Sequence, residues 1–278
     1  MRWITILFFL LFSAKLLSSP KWHWEDRFSQ KEQNGLTAWV RHAETGLTSL
    51  FGPLSFDYRV FFHRRESHEE PVPWANTWKS EARDVHFYVA MSHSMDAFMD
   101  DWTAPHELAH LIFPYLGDRG RWFAEGIASY LEYQVMYANG TISWDEAMAN
   151  YRGRFHHAHK QGPYDLSIVQ LSPVVHEYRS YVRLYWGGAC YFMRADKRLF
   201  EEKGIRLNDV IREYMNCCSR RNGTSLKRLI RQFDVISGST IFTETLHVVQ
   251  QAGFPKMKND LAWLTNHPPT LLTLKDTD

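Results

Sequence analysis

The sequence predicts an α+β fold in two lobes, a small mixed N-terminal lobe and a helical C-terminal lobe, with a site between them. Three observations carry this. Alternation of apolar and polar residues with a period of two is found in the N-terminal part, in "LSFDYRVFFHRR" and "DVHFYVAMS". From Thr103 onward apolar residues recur at helical spacing instead, through "RWFAEGIASYLEYQVMY", "WDEAMANYRGRFHHAH" and "YRSYVRLYWGGACYFMRADKRLFEEK". The change of period coincides with "TAPHELAHLIF", Thr103 to Phe113, which sets two histidines four residues apart with a glutamate beside the first.

With 278 residues, 45% of them hydrophobic and 15% aromatic, the chain can bury a full core, as one domain or two closely packed lobes. Its 32 Lys and Arg nearly cancel 31 Asp and Glu, so nothing in the balance points to nucleic acid or another polyanion. Fourteen histidines favour a metal site and also accidental histidine motifs. Three cysteines, Cys190, Cys217 and Cys218, are too few for a disulfide framework and lack the paired CxxC spacing of a zinc ribbon. They leave room for one bridge, Cys190 to Cys217 or Cys218.

Taken in order, residues 1–19 hold an apolar run, Trp3 to Ala14, between Arg2 and Lys15. This is the layout of a secretory signal peptide, and the run is short for a membrane span of about 20 residues. The expectation is an exported protein, periplasmic or secreted, with no stable membrane span after cleavage; an uncleaved anchor is the alternative. Residues 20–102 form the N-terminal α/β lobe. Its helix covers "GLTAWVRHAETGLTSLFG", with Leu36, Trp39, Val40, Ala43, Leu47 and Leu50 on one stripe. The two strands follow, separated by the charged, proline-bearing "ESHEEPVPWANTWKSEAR", and the stretch from Val85 to Met91 is expected to edge the cleft. "HRRESHEE", His63 to Glu70, reads as a solvated loop. Residues 103–265 make the helical lobe, ending with "LNDVIREYMN" and "SLKRLIRQFDVIS", and residues 266–278 an extended tail. Asn139-Gly-Thr and Asn222-Gly-Thr read as surface turns, and as glycosylation sites only where the source glycosylates secreted proteins.

Residues four apart on a helix share a face, so His106 and His110 can present ring nitrogens to one ion at about 2.0 to 2.1 Å. Thr103 suits the helix cap and Pro105 the first helical position. Glu107 is offset around the helix, where a carboxylate can take a proton from water at a metal rather than bind the metal itself. The motif needs a third ligand. Glu125, fifteen positions after His110, opens a second helix beyond a turn containing Pro114, Gly117 and Gly120. Helix, turn and helix can return its carboxylate to the histidines, giving three protein ligands and an open fourth position, the pattern of a catalytic zinc site. Glu132, two helical turns on, reads either as a group orienting a ligand histidine or as a salt-bridged surface carboxylate. "FHHAH", Phe155 to His159, lacks the i, i+4 pattern with carboxylates and reads as a polar helix end or cleft lining.

"HELAH" followed by "WFAEGIASYLE" resembles the gluzincin metallopeptidases of the aminopeptidase N and glycyl aminopeptidase groups, in which the W-x-x-E-G segment supplies the third zinc ligand. "LYWGGACYFMRADKRL" resembles the family's Y-x-K-G-A helix, whose tyrosine hydrogen-bonds the oxyanion; by that match the tyrosine is Tyr185. The similarity covers about Thr103 to Gly238 and implies a thermolysin-like two-lobed fold, a Zn2+ cofactor and a peptide or protein substrate. Three departures bound it. The spacer from His110 to Glu125 is shorter than in aminopeptidase N, Gly187 replaces the lysine, and "VAMSHSMDAF" stands where the amine-holding G-x-M-E-N segment would be. The resemblance therefore does not extend to aminopeptidase specificity. The large N-terminal β domains of those groups are also missing, so a compact catalytic unit is expected.

The expected function is zinc-dependent peptide-bond hydrolysis, with His106, His110 and Glu125 as ligands, Glu107 as general base and Tyr185 as oxyanion donor. A zinc-binding envelope scaffold and an amidase acting on cell-wall peptides are the alternatives; the intact Glu107 speaks against the scaffold. The export expectation is checked by N-terminal sequencing of the protein from its native host. A soluble chain starting near Pro20 is the expected result, and an intact Met1 in the membrane fraction would favour the anchor.

Overall fold

A computed structural model of the chain describes residues 20–79, 83–219 and 224–272. The apolar run Trp3 to Ala14, the Asn222 sequon and the end of the tail lie outside the described residues. Four strands form one sheet: β1 (Lys21–Trp24), β2 (Arg59–Arg65), β3 (Trp74–Lys79) and β4 (Arg83–Ala90). Their spatial order is β1-β2-β4-β3, with β1, β2 and β4 parallel and β3 antiparallel to β4. Parallel β1 and β2 need a crossover, and helix α1 (Gln30–Phe51) supplies it. Its first turn is closed by a capping box between Ser29 and Glu32.

One sheet face is buried and the other is open. Val60 and Phe62 of β2 and Val85, Phe87 and Val89 of β4 point inward, where Trp39 of α1 meets Phe87 edge-on at 4.8 Å. The expected stripe of α1, from Leu36 to Leu50, is buried throughout. On the open face, rings stack across the strands, His23 on Phe61 and Phe61 on His86, each pair 4.4 Å apart.

Three expectations for this part need correction. "HRRESHEE" is not all loop, because β2 runs on through Arg65 to pair with Ala90. The stretch read as a separator contains β3: Ala75 and Thr77 face inward while Trp74 and Trp78, both 62% exposed, face out. The sheet edge near the helices is consequently β3, and β4 lies inside the sheet between β2 and β3. Charge and proline around β3 hid an alternation whose outward positions include two tryptophans.

The longer helices that follow are α2 (Thr103–His110), α3 (Gly117–Ala138), α4 (Trp144–His159), α5 (Tyr181–Lys203), α6 (Leu207–Cys217), α7 (Leu226–Ser237) and α8 (Lys258–Thr265). A single hydrophobic cluster joins them to the sheet. None of the described helices is long and apolar enough to cross a membrane. Cys190 is buried and unpaired, and the one bridge joins neighbours Cys217 and Cys218, so neither expected pairing with Cys190 is present. Cys190 sits inside α5, where its thiol donates to the Trp186 carbonyl.

Helices α3 and α5 cross at two glycines. A Cβ on Gly188 would lie 2.1 Å from the Trp122 carbonyl oxygen, and one on Gly126 would lie 2.4 Å from the Gly188 carbonyl carbon. Backbone, unlike a side-chain tip, cannot move aside. Gly188→Ala should therefore destabilise the protein by about 3 kcal/mol, at the upper end for overpacking. Gly153, mid-helix in α4 with nothing within 4 Å of its would-be Cβ, should as alanine gain about 0.5 to 1 kcal/mol. Urea midpoints of the two variants check this, and equal midpoints would remove the crossing as a constraint.

Candidate metal centre

Helix α2 starts without a side-chain cap of its own. The Thr103 amide donates to Asp101 Oδ1 at 2.8 Å, so Asp101, not Thr103, satisfies the first turn. Burial raises the Asp101 carboxyl to about 6. Pro105 is inside that first turn, where an amide has no helical acceptor and its absence costs nothing. The turn before α3 comprises residues 111–116, and Gly117 opens α3 at a φ of +65°, in the left-handed region that favours glycine.

This geometry returns Glu125 to the histidines. His106 Nε2 lies 3.2 Å from His110 Nε2, and Glu125 Oε2 lies 3.3 Å from each. The three atoms form a nearly equilateral triangle. A tetrahedral zinc with arms of about 2.0 to 2.1 Å has ligand–ligand edges of roughly 3.3 Å, so the donor set fits one face of that tetrahedron. Among the described residues these three are the only group of histidine, cysteine, aspartate or glutamate side chains placed to hold an ion. The "FHHAH" histidines close the last turn of α4, with His157 Nε2 3.0 Å from Gln161 Nε2.

Glu132 is 1% exposed, not a surface carboxylate, and its Oε2 lies 2.9 Å from His106 Nδ1. In the neutral ring that a metal requires, a hydrogen bond there puts the proton on Nδ1 and the Nε2 lone pair toward Glu125 and His110. Burial opposes charge on His106, but hydrogen bonds and charges from Glu125 and Glu132 prevail and push its pKa up to about 10. Burial likewise opposes charge on Glu125, and the His110 charge with both histidine hydrogen bonds holds it well below the usual carboxylate range. For Glu132 burial wins, raising its pKa despite the bond to His106. Trp102 closes one side, edge-on to His106 at 5.4 Å.

Glu107 is nearly buried at 8% exposure, and Thr77 of β3 donates its hydroxyl to Glu107 Oε2 at 2.7 Å. The Tyr185 ring stacks against His106 at 5.9 Å. Burial first, then the charges of Glu125 and Glu107, raise the Tyr185 hydroxyl well above the ordinary tyrosine value, keeping its proton available to donate. The five residues singled out in the sequence thus lie at one place. Thr77, Trp102 and Asp101 were missed. Thr77 was recoverable from the two-residue period of "WANTW", whereas nothing local marked the other two.

The α+β scaffold that carries this cluster has counterparts in fold among solved structures. An aminopeptidase N family protein from Idiomarina loihiensis matches with a TM-score of 0.60 and 16% identity, over 86% of this chain and 46% of that one. An M1 zinc metallopeptidase from Deinococcus radiodurans matches at 0.51 and 17%, over 84% of this chain and 48% of that one. A variant of the latter matches at 0.53 and 14%, over 86% and 50%. The likeness is one of fold, and the chain spans about half the length of the proteins it matches. No protein-family model matches the chain, and no curated protein does.

The donor set generates a metal prediction. His110→Ala and Glu125→Ala should each lose most of one zinc per chain by elemental analysis. Glu132→Ala should keep the ligands but weaken zinc affinity by roughly 10- to 100-fold, the usual cost of losing a histidine's orienting partner. Full zinc in both ligand variants would overturn the assignment.

Proposed function

We propose that this chain is an exported zinc-dependent peptidase, with zinc held by His106, His110 and Glu125 between a sheet-bearing lobe and a helical lobe. The observation that carries the reading is the convergence of three ligand atoms, with Glu107 next to His106 on the same helix and the Tyr185 ring against His106. The fold shared with zinc metallopeptidases supports it. When bound, zinc supplies Lewis-acid polarisation of a carbonyl and a lowered pKa for water.

The chain's own residues supply the rest. Glu107 accepts the proton of the attacking water and passes it to the leaving amine nitrogen. The Thr77 hydroxyl fixes Oε2 of that carboxylate. Tyr185 donates its hydroxyl proton in a hydrogen bond to the carbonyl oxygen as negative charge builds there. Glu132, through Nδ1, keeps His106 in the tautomer a metal ligand requires. The outer edge of β3, which pairs with no strand among the described residues, offers backbone groups to an extended peptide.

Glu107→Gln should retain fold and zinc yet lose nearly all turnover of a mixed peptide library. Tyr185→Phe should also retain zinc and slow turnover by roughly 10² to 10³, the cost of one oxyanion donor elsewhere. Zinc and hydrolysis are measured on the same preparations. Undiminished activity in Glu107→Gln would overturn the mechanism, and a zinc-loaded wild type inert on the library would make the protein a binding module.

A further inference from the structure

Arg183, in the first turn of α5, is 0% exposed. Its Nη1 donates to the Gln161 carbonyl at 2.8 Å. Its Nε and Nη2 are buried and have no hydrogen-bond partner among the described residues. Tyr164 and Phe254 cover the guanidinium, each ring centroid 5.5 Å from Cζ. Rings of this kind stabilise the flat faces of the cation. They leave the two edge N–H groups without an acceptor, and burying such donors unpaired costs free energy.

Three other arginines show what that edge normally does in this protein. Nε and Nη2 of Arg59 donate to the two carboxylate oxygens of Asp84 at 2.7 and 2.6 Å. Arg194 grips Asp260 in the same way, both bonds 2.7 Å, and Arg206 grips Asp196 at 2.9 and 2.7 Å. The hydrogen bond to the carboxylate raises the pKa of Arg59 and of Arg194, whereas burial lowers that of Arg183. Two nearby features point to the same chemistry. Ser180, at the N-terminus of α5, donates its hydroxyl to the Gly162 carbonyl instead of capping the helix, so the positive end of a 23-residue helix has no side-chain cap and no acid in its first turn. The Arg183 and Ser180 bonds go to consecutive carbonyls, of Gln161 and Gly162, which keeps the guanidinium and the helix start together.

We propose that the Nε–Nη2 edge of Arg183 is a recognition site for a ligand carboxylate, gripped bidentately at the start of α5 beneath Tyr164 and Phe254. The planar two-oxygen group matches the guanidinium fork in a way a spherical halide does not. The site needs neither the metal nor hydrolysis to be detected.

The test uses the zinc-loaded protein at constant ionic strength, titrated with acetate, with chloride as control and inorganic phosphate as a separate arm. The Arg183 Nε–H resonance in a ¹⁵N spectrum, assigned by its loss in Arg183→Lys, should move and saturate with acetate but not chloride. Acetate should raise the wild-type Tm, as a ligand binding only the folded state must. In Arg183→Met, which retains the apolar stem, at least tenfold of that affinity should be lost while zinc content stays unchanged. A resonance indifferent to acetate, or an equal Tm response in wild type and Arg183→Met, would overturn the proposal. Tighter binding of phosphate than of acetate would overturn the carboxylate assignment in favour of a phosphate-bearing ligand. If Arg183→Met fails to fold, the wild-type resonance decides alone.

Discussion

The approach of α3 to α5 through Gly126 and Gly188 is the constraint on which the rest of the site depends. Glu125 immediately precedes the first glycine, and Tyr185 lies within one turn of the second. Helix axes normally stand 8 to 10 Å apart with side chains between them; where backbone meets backbone they close further. The crossing therefore carries a carboxylate from one helix and a phenol from the other to the same point, against histidines delivered by α2. All of them stand on helices, and rigid elements hold a reacting geometry better than loops do.

His106 is the electrostatic centre of this arrangement, held between the buried carboxylate of Glu132 and the half-buried one of Glu125. Glu125 and Glu132 bracket its two ring nitrogens, so the imidazole can neither turn nor choose the other tautomer without losing a buried bond. A second buried acid, Asp196, shows the contrasting solution. It collects hydrogen bonds from Tyr130, from both Nε and Nη2 of Arg206 and from the Leu207 amide. Asp196 is satisfied wholly within the chain and serves the packing of α5 against α6. The histidine cluster instead brings three ligand atoms together at the spacing of a metal site.

Much of this was legible in the sequence because the chemistry is local. Two histidines four apart and a carboxylate at the start of the next helix are separated by so little chain that helix geometry nearly dictates their meeting. The stripe of α1 and the long helices were legible for the same reason, since helical periodicity is written within a few turns. Strand β3 was not. An edge strand with one buried face carries half the apolar signal of an inner one, and the glutamates and prolines before it masked what remained. Arg183 could not have been singled out at all: its covers, Tyr164 and Phe254, stand on opposite sides of it in the chain and far apart. The vicinal pairing of Cys217 and Cys218 was likewise hidden, because the burial of Cys190 within α5 is a tertiary fact.

The Thr77–Glu107 bond joins the sheet edge to the proposed base, and this bears on which molecules such a site would process well. A long extended chain that paired with β3 would stiffen that strand, and with it the hydroxyl that steadies Glu107. A small amide reaching the same carbonyl position would leave the strand untouched and the carboxylate free to wander. Contacts far from the breaking bond would then be repaid in the rate of the chemical step rather than in affinity. Discrimination between polypeptides and small amides would rest on the rigidity of one threonine and not on the shape of a pocket.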